Sequence, residues 1–178
     1  MEPKHRKLCL DELGPVAVRD YAFSCCIEGD HRPLFEPNYE RRGFLWVFGA
    51  LEPSTGHAHT AWYEQRTRFE VIDFLDHLPE AFQIQPDEKV SLIIDNLPAH
   101  KTLEVMLWNW GHPQFRFVWM PTQAAWLNLI EPWWRIPIHW ALQGSRSQTK
   151  EEPGQAVLDA PALWNQHPKP YRWKKKYY

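Results

Sequence analysis

The sequence predicts an α/β domain: one mixed sheet with helices packed against its faces. Short apolar blocks fill the first third of the chain and read as strands. Farther on, blocks with the three- and four-residue spacing of helices alternate with such strands. A chain of 178 residues, 44% apolar and 24% charged, fits one compact domain with a sizeable core.

The elements follow in order. Lys7 to Asp11 is a short strand delivering Asp11 at its end; Gly14-Pro15 then turns the chain, and Val16 to Val18 begins a return strand. Residues 22–43, rich in Pro and charge, read as a long loop. Phe44 to Leu51 is a buried strand, Pro53 to Gly56 a turn, and His57 to Tyr63 another strand, completing an antiparallel meander. Phe69, Ile72, Phe74, Leu75 and Leu78 share one helix face, with Pro79 helping to end the helix. Val90 to Ile94 is a continuous apolar run, as expected of a strand covered on both faces, and it stops at Asp95. Leu103, Met106, Leu107 and Trp110 have the spacing of an amphipathic helix closed by Gly111 and Pro113. Phe115 to Met120 is the last strand. A helix starts near Asn128 as cap, with Glu131 three residues on as in a capping box. Residues 143–154 form a polar loop, 155–164 a short helix, and 166–178 a basic aromatic tail of a single domain spanning 1–178.

Composition narrows the function classes only slightly. No apolar run reaches the length of a membrane span, and the basic start runs at once into Asp11 and Glu12, so a soluble intracellular chain is expected. Cys9, Cys25 and Cys26 lack the spacing of a zinc or redox motif and read as reduced thiols. A net charge of −2 argues weakly against nucleic-acid binding. Basic clusters at Arg41-Arg42, at Arg66 and Arg68, and at Arg172 with Lys174 to Lys176 soften that objection.

The acids carry more. Asp11 and Asp95 end buried strands, and Glu131 lies in the first turn of a helix. If the two strands run parallel and adjacent, both aspartates stand at the carboxyl edge of the sheet, where ligands gather in such folds. Clustered carboxylates repel and raise one another's pKa, so they call for a cation; hard oxygen ligands suit Mg²⁺ or Mn²⁺. Two such ions about 4 Å apart could activate a water and stabilise a leaving oxygen. Taken singly, each acid has a plainer reading as a turn cap, a capping-box partner or half of a solvated acidic pair.

The stretch from Asp95 through Asn96, Leu97, Pro98, Ala99 and His100 to Lys101 resembles the second-acid motif of bacterial insertion-sequence transposases of the mariner-like superfamily. Pro121 to Glu131, including Trp126 and Asn128, resembles that family's third-acid motif, with thirty-five residues between Asp95 and Glu131. Asp11-Glu12 with Gly14-Pro15 resembles the first-acid segment more weakly. The resemblance implies a ribonuclease-H-like fold and a DDE site in which Asp11, Asp95 and Glu131 bind two divalent ions. It implies nicking of double-stranded DNA at transposon ends, then attack of the freed 3′-hydroxyl on target DNA, in the bacterial cytoplasm at the nucleoid. Asn96, His100, Lys101, Trp126 and Asn128 take supporting or DNA-contacting roles.

Plainer readings stand beside these. His100 as a packed imidazole is as good an expectation as a functional one. Trp126, Trp133 and Trp134 read as core packing before base stacking. His57 and His59 alternate along a strand without a third ligand, and the lysine tail reads as solvated before phosphate-binding. No room for the family's helix-turn-helix region precedes Asp11, so a separately encoded or fused recognition part and self-association are expected. Pro137 is expected to kink the helix beyond Glu131. The competing readings are an inactive remnant with weak DNA affinity, another ribonuclease-H-like nuclease, and a Trp-rich binding module.

Overall fold

The computed structural model describes residues 5–19, 41–122, 125–138, 149 and 151–172. Five strands form one sheet: β1 (His5–Arg19), β2 (Arg41–Leu51), β3 (Ala58–Tyr63), β4 (Lys89–Ile94) and β5 (Phe115–Trp119), in the order β3-β2-β1-β4-β5. β1, β2 and β3 pair antiparallel, whereas β1–β4 and β4–β5 pair parallel. The mixed sheet expected from sequence is therefore the one observed.

Pleat alternation sends neighbouring residues to opposite faces, and both faces are covered. Leu8, Leu10, Phe48, Ala50, Leu92 and Ile94 meet α1 (Arg68–Ala81) and α2 (Leu103–Gly111). Cys9, Val47 and Leu51 join a second core with residues of α3 (Ile130–Pro137) and α4 (Glu151–Trp164). Burial pushes the Cys9 thiol up to about 11, so it packs as an uncharged core atom.

Several local expectations are corrected. Gly14-Pro15 does not turn the chain: β1 runs through it with a register shift between Leu13 and Val16, because β2 continues to pair beyond that point. Pro79 lies inside α1, which ends at Ala81, while Thr67 and Glu70 form a capping box at its start. Phe69, expected inside, is exposed, and Val71 takes its place in the core. On α2 the chosen stripe is outside: Leu103, Met106, Leu107 and Trp110 are exposed, while Val105 and Trp108 are buried. Trp108 fixes that rotation by donating to Asp76 of α1 at 2.6 Å and packing on Phe115 of β5. Pro137 lies in the last turn of α3 with Ile138 still in helical conformation, the chain just beyond falls outside the described residues, and Pro132 falls in the first turn, where a missing N–H costs little.

α4 begins at Glu151, four residues before the expected start, and shields the edge strand β3. Thr60 donates to the Val157 carbonyl, and the Asn165 amide pairs with both the N–H and the carbonyl of Ala58. Gly56, at φ +81°, admits the Lys169 backbone where any Cβ would collide. Most of the expected 22–43 loop, with Cys25 and Cys26, lies outside the described residues, as do most of the polar loop and Lys174 to Lys176.

Candidate active site

Parallel pairing of Cys9 with Ile93 puts Asp11 and Asp95, each two residues farther on, at the same carboxyl edge of the sheet. Asp11 is still within β1, opposite Gly49 of β2. Its Oδ2 accepts a hydrogen bond from Trp134 Nε1 of α3 at 3.2 Å. That contact needs a glycine at 49, since a Cβ there would stand 2.4 Å from the Trp134 ring. Glu131 sits one helical turn before Trp134, so a single helix supplies both the indole and the carboxylate.

Asn128 anchors this helix differently from expectation. Leu129 occupies the N-cap position, with no side-chain cap bond. The Asn128 side-chain amide instead reaches β1, donating to the Leu10 carbonyl at 2.7 Å, while the Asn128 backbone carbonyl accepts from the Glu131 N–H. Asn128 thus ties the start of α3 to the strand bearing Asp11.

Asp11, Glu12, Trp126, Glu131, Trp134 and Arg135 line one open cleft of about 600 Å³. Burial, then the charges of Glu131 and Glu12, push the Asp11 carboxyl up to about 7. Without a cation, this acid gives up its proton far less readily than an ordinary carboxyl.

Asp95 is turned toward a different neighbour. It follows β4 and accepts the Leu97 N–H at 3.0 Å, the plain turn-capping role of an Asp after a strand. His100, buried in the turn Pro98–Lys101, stands between two carboxylates. Its Nε2 lies 2.6 Å from Glu12 Oε1, and its Nδ1 lies 3.0 Å from Asp95 Oδ1. The second contact is off the hydrogen-bond axis, so it acts as an ion pair. Burial opposes the imidazolium, but Asp95 and Glu12 outweigh it and raise its pKa to about 10. Burial likewise opposes Asp95's charge, but His100 and the Leu97 N–H, with Arg66 adding charge, hold it below the usual carboxylate range.

The remaining expected residues divide. Asn96 donates to the Met120 carbonyl and ties the ends of β4 and β5 together. Lys101 lies over the Trp119 ring, with Nζ 5.2 Å from its centroid. Trp133 and Trp134 are core, as the packing reading has it, but Trp126 is 77% exposed.

Glu12 is what sequence reasoning passed over. It continues the inward series Leu8, Leu10 on one face of β1, and a carboxylate ending such a series needs a buried partner. Glu12, Asp95 and His100 place one ligand atom each within 4.8 Å of one another, so this trio could itself hold a metal. The wider donor set fits a hard divalent cation: carboxylate oxygens on an open cleft, with Asp11 destabilised by like charge.

Carboxylates crowded at the carboxyl edge of such a sheet make a candidate site for a hard divalent cation. The DDE superfamily endonuclease family matches residues 6–152, and the chain belongs to that family. Family membership implies use of divalent metal. The chain is 25% identical over 109 residues to the "Insertion element IS630 uncharacterized 39 kDa protein" of Shigella sonnei, covering 61% of this chain and 31% of that protein. Among solved structures, a chain of a simian T-cell lymphotropic virus intasome matches with TM-score 0.59 and 12% identity, covering 99% of this chain and 60% of that one. A Mos1 transposase paired-end complex with left transposon end matches with TM-score 0.55 and 12% identity, covering 96% and 57%. The fold is thus the expected ribonuclease-H-like one. The chain spans about a third of the curated relative and less than two thirds of either solved chain.

Proposed function

We propose that this chain is the catalytic domain of a transposase that nicks double-stranded DNA at transposon ends and joins the freed 3′-hydroxyl to target DNA. The observation carrying the proposal is the convergence of Asp11 and Glu131 on one cleft where, among the described residues, no cation acts on Asp11. Asp11, Asp95 and Glu131 are the metal ligands, with Mg²⁺ or Mn²⁺, two ions, as the resident cofactor. The ions supply Lewis-acid polarisation of the phosphate and a lowered pKa for the attacking water. In hydrolysis a P–O bond forms to that water as the bond to the 3′ oxygen breaks, leaving a 3′-hydroxyl and a 5′-phosphate.

The chain's own residues organise the site around that step. Trp134 and Asn128 fix Asp11 and its strand against α3. Glu12 and His100 orient Asp95, and Asn96 holds the loop that carries it. Arg135 on the cleft, Arg66 near Asp95 and Lys101 over Trp119 are the phosphate contacts. Recognition of ends falls to a helix-turn-helix part beyond these residues, the working unit is self-associated, and the compartment is the bacterial cytoplasm at the nucleoid. Among the described residues, no helix is long and apolar enough to cross a membrane.

Asp95 favours a second reading. It faces His100 rather than the cleft, as in a domain that keeps the fold and weak DNA affinity without cleaving. Supercoiled plasmid incubated with the chain and Mg²⁺ or Mn²⁺ separates the two. Open circles that form with metal and not with EDTA support the enzyme; intact plasmid under all metal conditions supports the remnant.

A further inference from the structure

His57 and His59 stand two residues apart, and the fold gives them different partners. His57 Nε2 lies 3.2 Å from the Ala81 carbonyl oxygen, and its ring packs against Phe82. His59, on β3, stacks on Phe74 of α1, with centroids 5.8 Å apart and planes 12° from parallel. Its Nε2 is buried and, among the described residues, has no hydrogen-bond partner. A ring nitrogen withdrawn from water loses hydration, and without a partner nothing offsets that loss. Burial, then the charges of His77 and His57, push the His59 imidazole down to about 4. The ring is therefore neutral at physiological pH, the form that binds a metal.

Two further ligand groups come from α1. Asp73 and His77 are one helical turn apart, and both reach β3. Tyr63 donates to Asp73 Oδ2 at 2.7 Å, and the His77 ring lies 5.8 Å from that of His59. His77 Nε2 stands 3.6 Å from Asp73 Oδ2, too far for a hydrogen bond. Two ligands of one tetrahedral zinc ion, each about 2.0–2.2 Å from it, are roughly 3.3–3.5 Å apart. Two imidazoles on such an ion have centroids roughly 5–5.5 Å apart by the same geometry. Both spacings across His77 are thus slightly wider than a shared ion requires. The two histidine rings meet at 79°, so His77 must turn to share an ion with His59; exposed on the helix surface, it can. Tyr63, packed edge-on against Phe48, supplies the outer hydrogen bond that ligating carboxylates carry.

We propose that His59, His77 and Asp73 form a metal site of their own, taking a zinc-like transition ion that clips α1 to the edge strand β3. Two imidazoles and one carboxylate suit Zn²⁺, whereas Mg²⁺ favours oxygen ligands, so this ion differs in kind from that of the acidic cleft. The ion enters from solvent past Asp73 and His77, and water completes its coordination. Its role is structural, and it stands independently of the function proposed above.

The test titrates Zn²⁺ calorimetrically into the whole chain in saturating Mg²⁺, with thermal melts alongside. An equivalent of Zn²⁺ should bind that Mg²⁺ does not displace, and it should raise the melting temperature. The ring-nitrogen NMR signals of His59 and His77 should shift together as that equivalent is added. His77→Ala and His77→Gln should each weaken this binding by at least roughly tenfold to a hundredfold. Their melting temperatures without Zn²⁺, and their Mg²⁺-dependent nicking, should match the unsubstituted chain. Asp73→Asn should weaken binding in the same direction. Absence of an Mg²⁺-resistant equivalent, or binding unchanged in both His77 variants, would overturn the proposal. Binding lost in His100→Gln but kept in His77→Ala would place the ion with Glu12 and Asp95 instead, and would overturn it equally.

Discussion

β1 carries two buried ionic groups, one at its start and one where its pairing with β4 ends, and the two are treated oppositely. At its start, Arg6 donates to both oxygens of Glu52 at 2.8 and 2.9 Å and to Glu88 at 3.2 Å, with the Phe82 carbonyl taking a further bond. Thr55 also donates to Glu52. Burial opposes the Glu52 charge, but Arg6 and these donors outweigh it and hold its pKa below the usual range. Five residues on, the donors that meet Asp11 among the described residues are uncharged, the Trp134 indole and the Glu12 N–H, and two further carboxylates press on it. Both groups are withdrawn from water, but among the described residues only the first meets a counter-charge. Charge compensated internally serves stability; charge left over at a cleft is available to a cation and its substrate.

Substitutions at the uncompensated end should give the largest effects, and these should fall on chemistry. Asp11→Asn, Asp95→Asn or Glu131→Gln should each cut metal-dependent nicking by about three orders of magnitude or more, since each removes several kcal/mol of transition-state stabilisation. The double variants should lose little beyond the singles, because the acids act through one cluster. The folded fraction should stay the same or rise. Quantitative plasmid nicking with parallel thermal melts checks both halves; a triplet of unfolded variants would put these acids with Arg6 as structural groups. Glu12→Gln should affect stability and activity together, because Glu12 is a buried partner of His100.

The compensated end should show the reverse. Arg6→Met removes the counter-charge shared by two buried carboxylates and should cost about 3–5 kcal/mol of stability, with nicking per folded molecule unchanged. Denaturant midpoints measure the loss. A stability change below about 1 kcal/mol would mean that water reaches Glu52 and Glu88 more freely than their burial indicates.

Acid and base should also separate the two ends. Asp11 has a folded pKa near 7, above its ordinary 3.8, so the native metal-free chain binds this proton more tightly than the unfolded chain does. Its contribution to stability therefore falls as pH rises from about 4 to 7, by at most about 4 kcal/mol. Glu52, with its pKa lowered, contributes stability above the ordinary value and loses it as pH falls through the folded pKa. Saturating Mg²⁺ should cancel the first slope and leave the second. At a hundredfold excess over its dissociation constant, it should add about 2.7 kcal/mol at neutral pH. Melts across pH 3 to 8 with and without Mg²⁺ test this, and a metal response unchanged in Asp11→Asn would remove Asp11 from the ligand set.

The two ends also differ in how readily sequence reveals them. β4 and the start of β1 are legible because strands covered on both faces read as unbroken apolar runs, and each run delivers an acid to the sheet edge. The Glu12–His100 contact joins residues 88 positions apart, and no local period announces it. α2 is short and apolar on several sides, so periodicity offers more than one face; the Trp108 bond to Asp76 selects among them. Asn128 has the chemistry of a cap, but a buried carbonyl on β1 claims its amide. Gly14-Pro15 has the composition of a turn, and strand pairing on β2 overrides it. In each case a tertiary partner decided what local chemistry left open.

The smallest expected effect would sharpen the contrast most, because it alters the neutral compensation of Asp11 without touching a charge. Gly49 faces Trp134 across β2, and a Cβ there would stand 2.4 Å from Cη2, 2.7 Å from Cζ2 and 3.1 Å from Ile130 Cδ1. Trp134 is 3% exposed and Ile130 0%, so neither can swing aside into solvent. Gly49→Ala should therefore push the indole off Asp11 at an overpacking cost of about 1–3 kcal/mol. Losing the Trp134 N–H should then raise the Asp11 pKa further, since that donor favours the charged form. Trp134→Phe removes the same N–H and adds no atom at the crowded point, so comparison of the two isolates strain from hydrogen bonding. Both variants should need more Mg²⁺ for half-maximal nicking at pH 7 than at pH 8, because protonated Asp11 competes with the ion. An unchanged Mg²⁺ requirement in both would show that the indole packs against Asp11 without tuning it, leaving burial and the neighbouring carboxylates as the whole cause of its raised pKa.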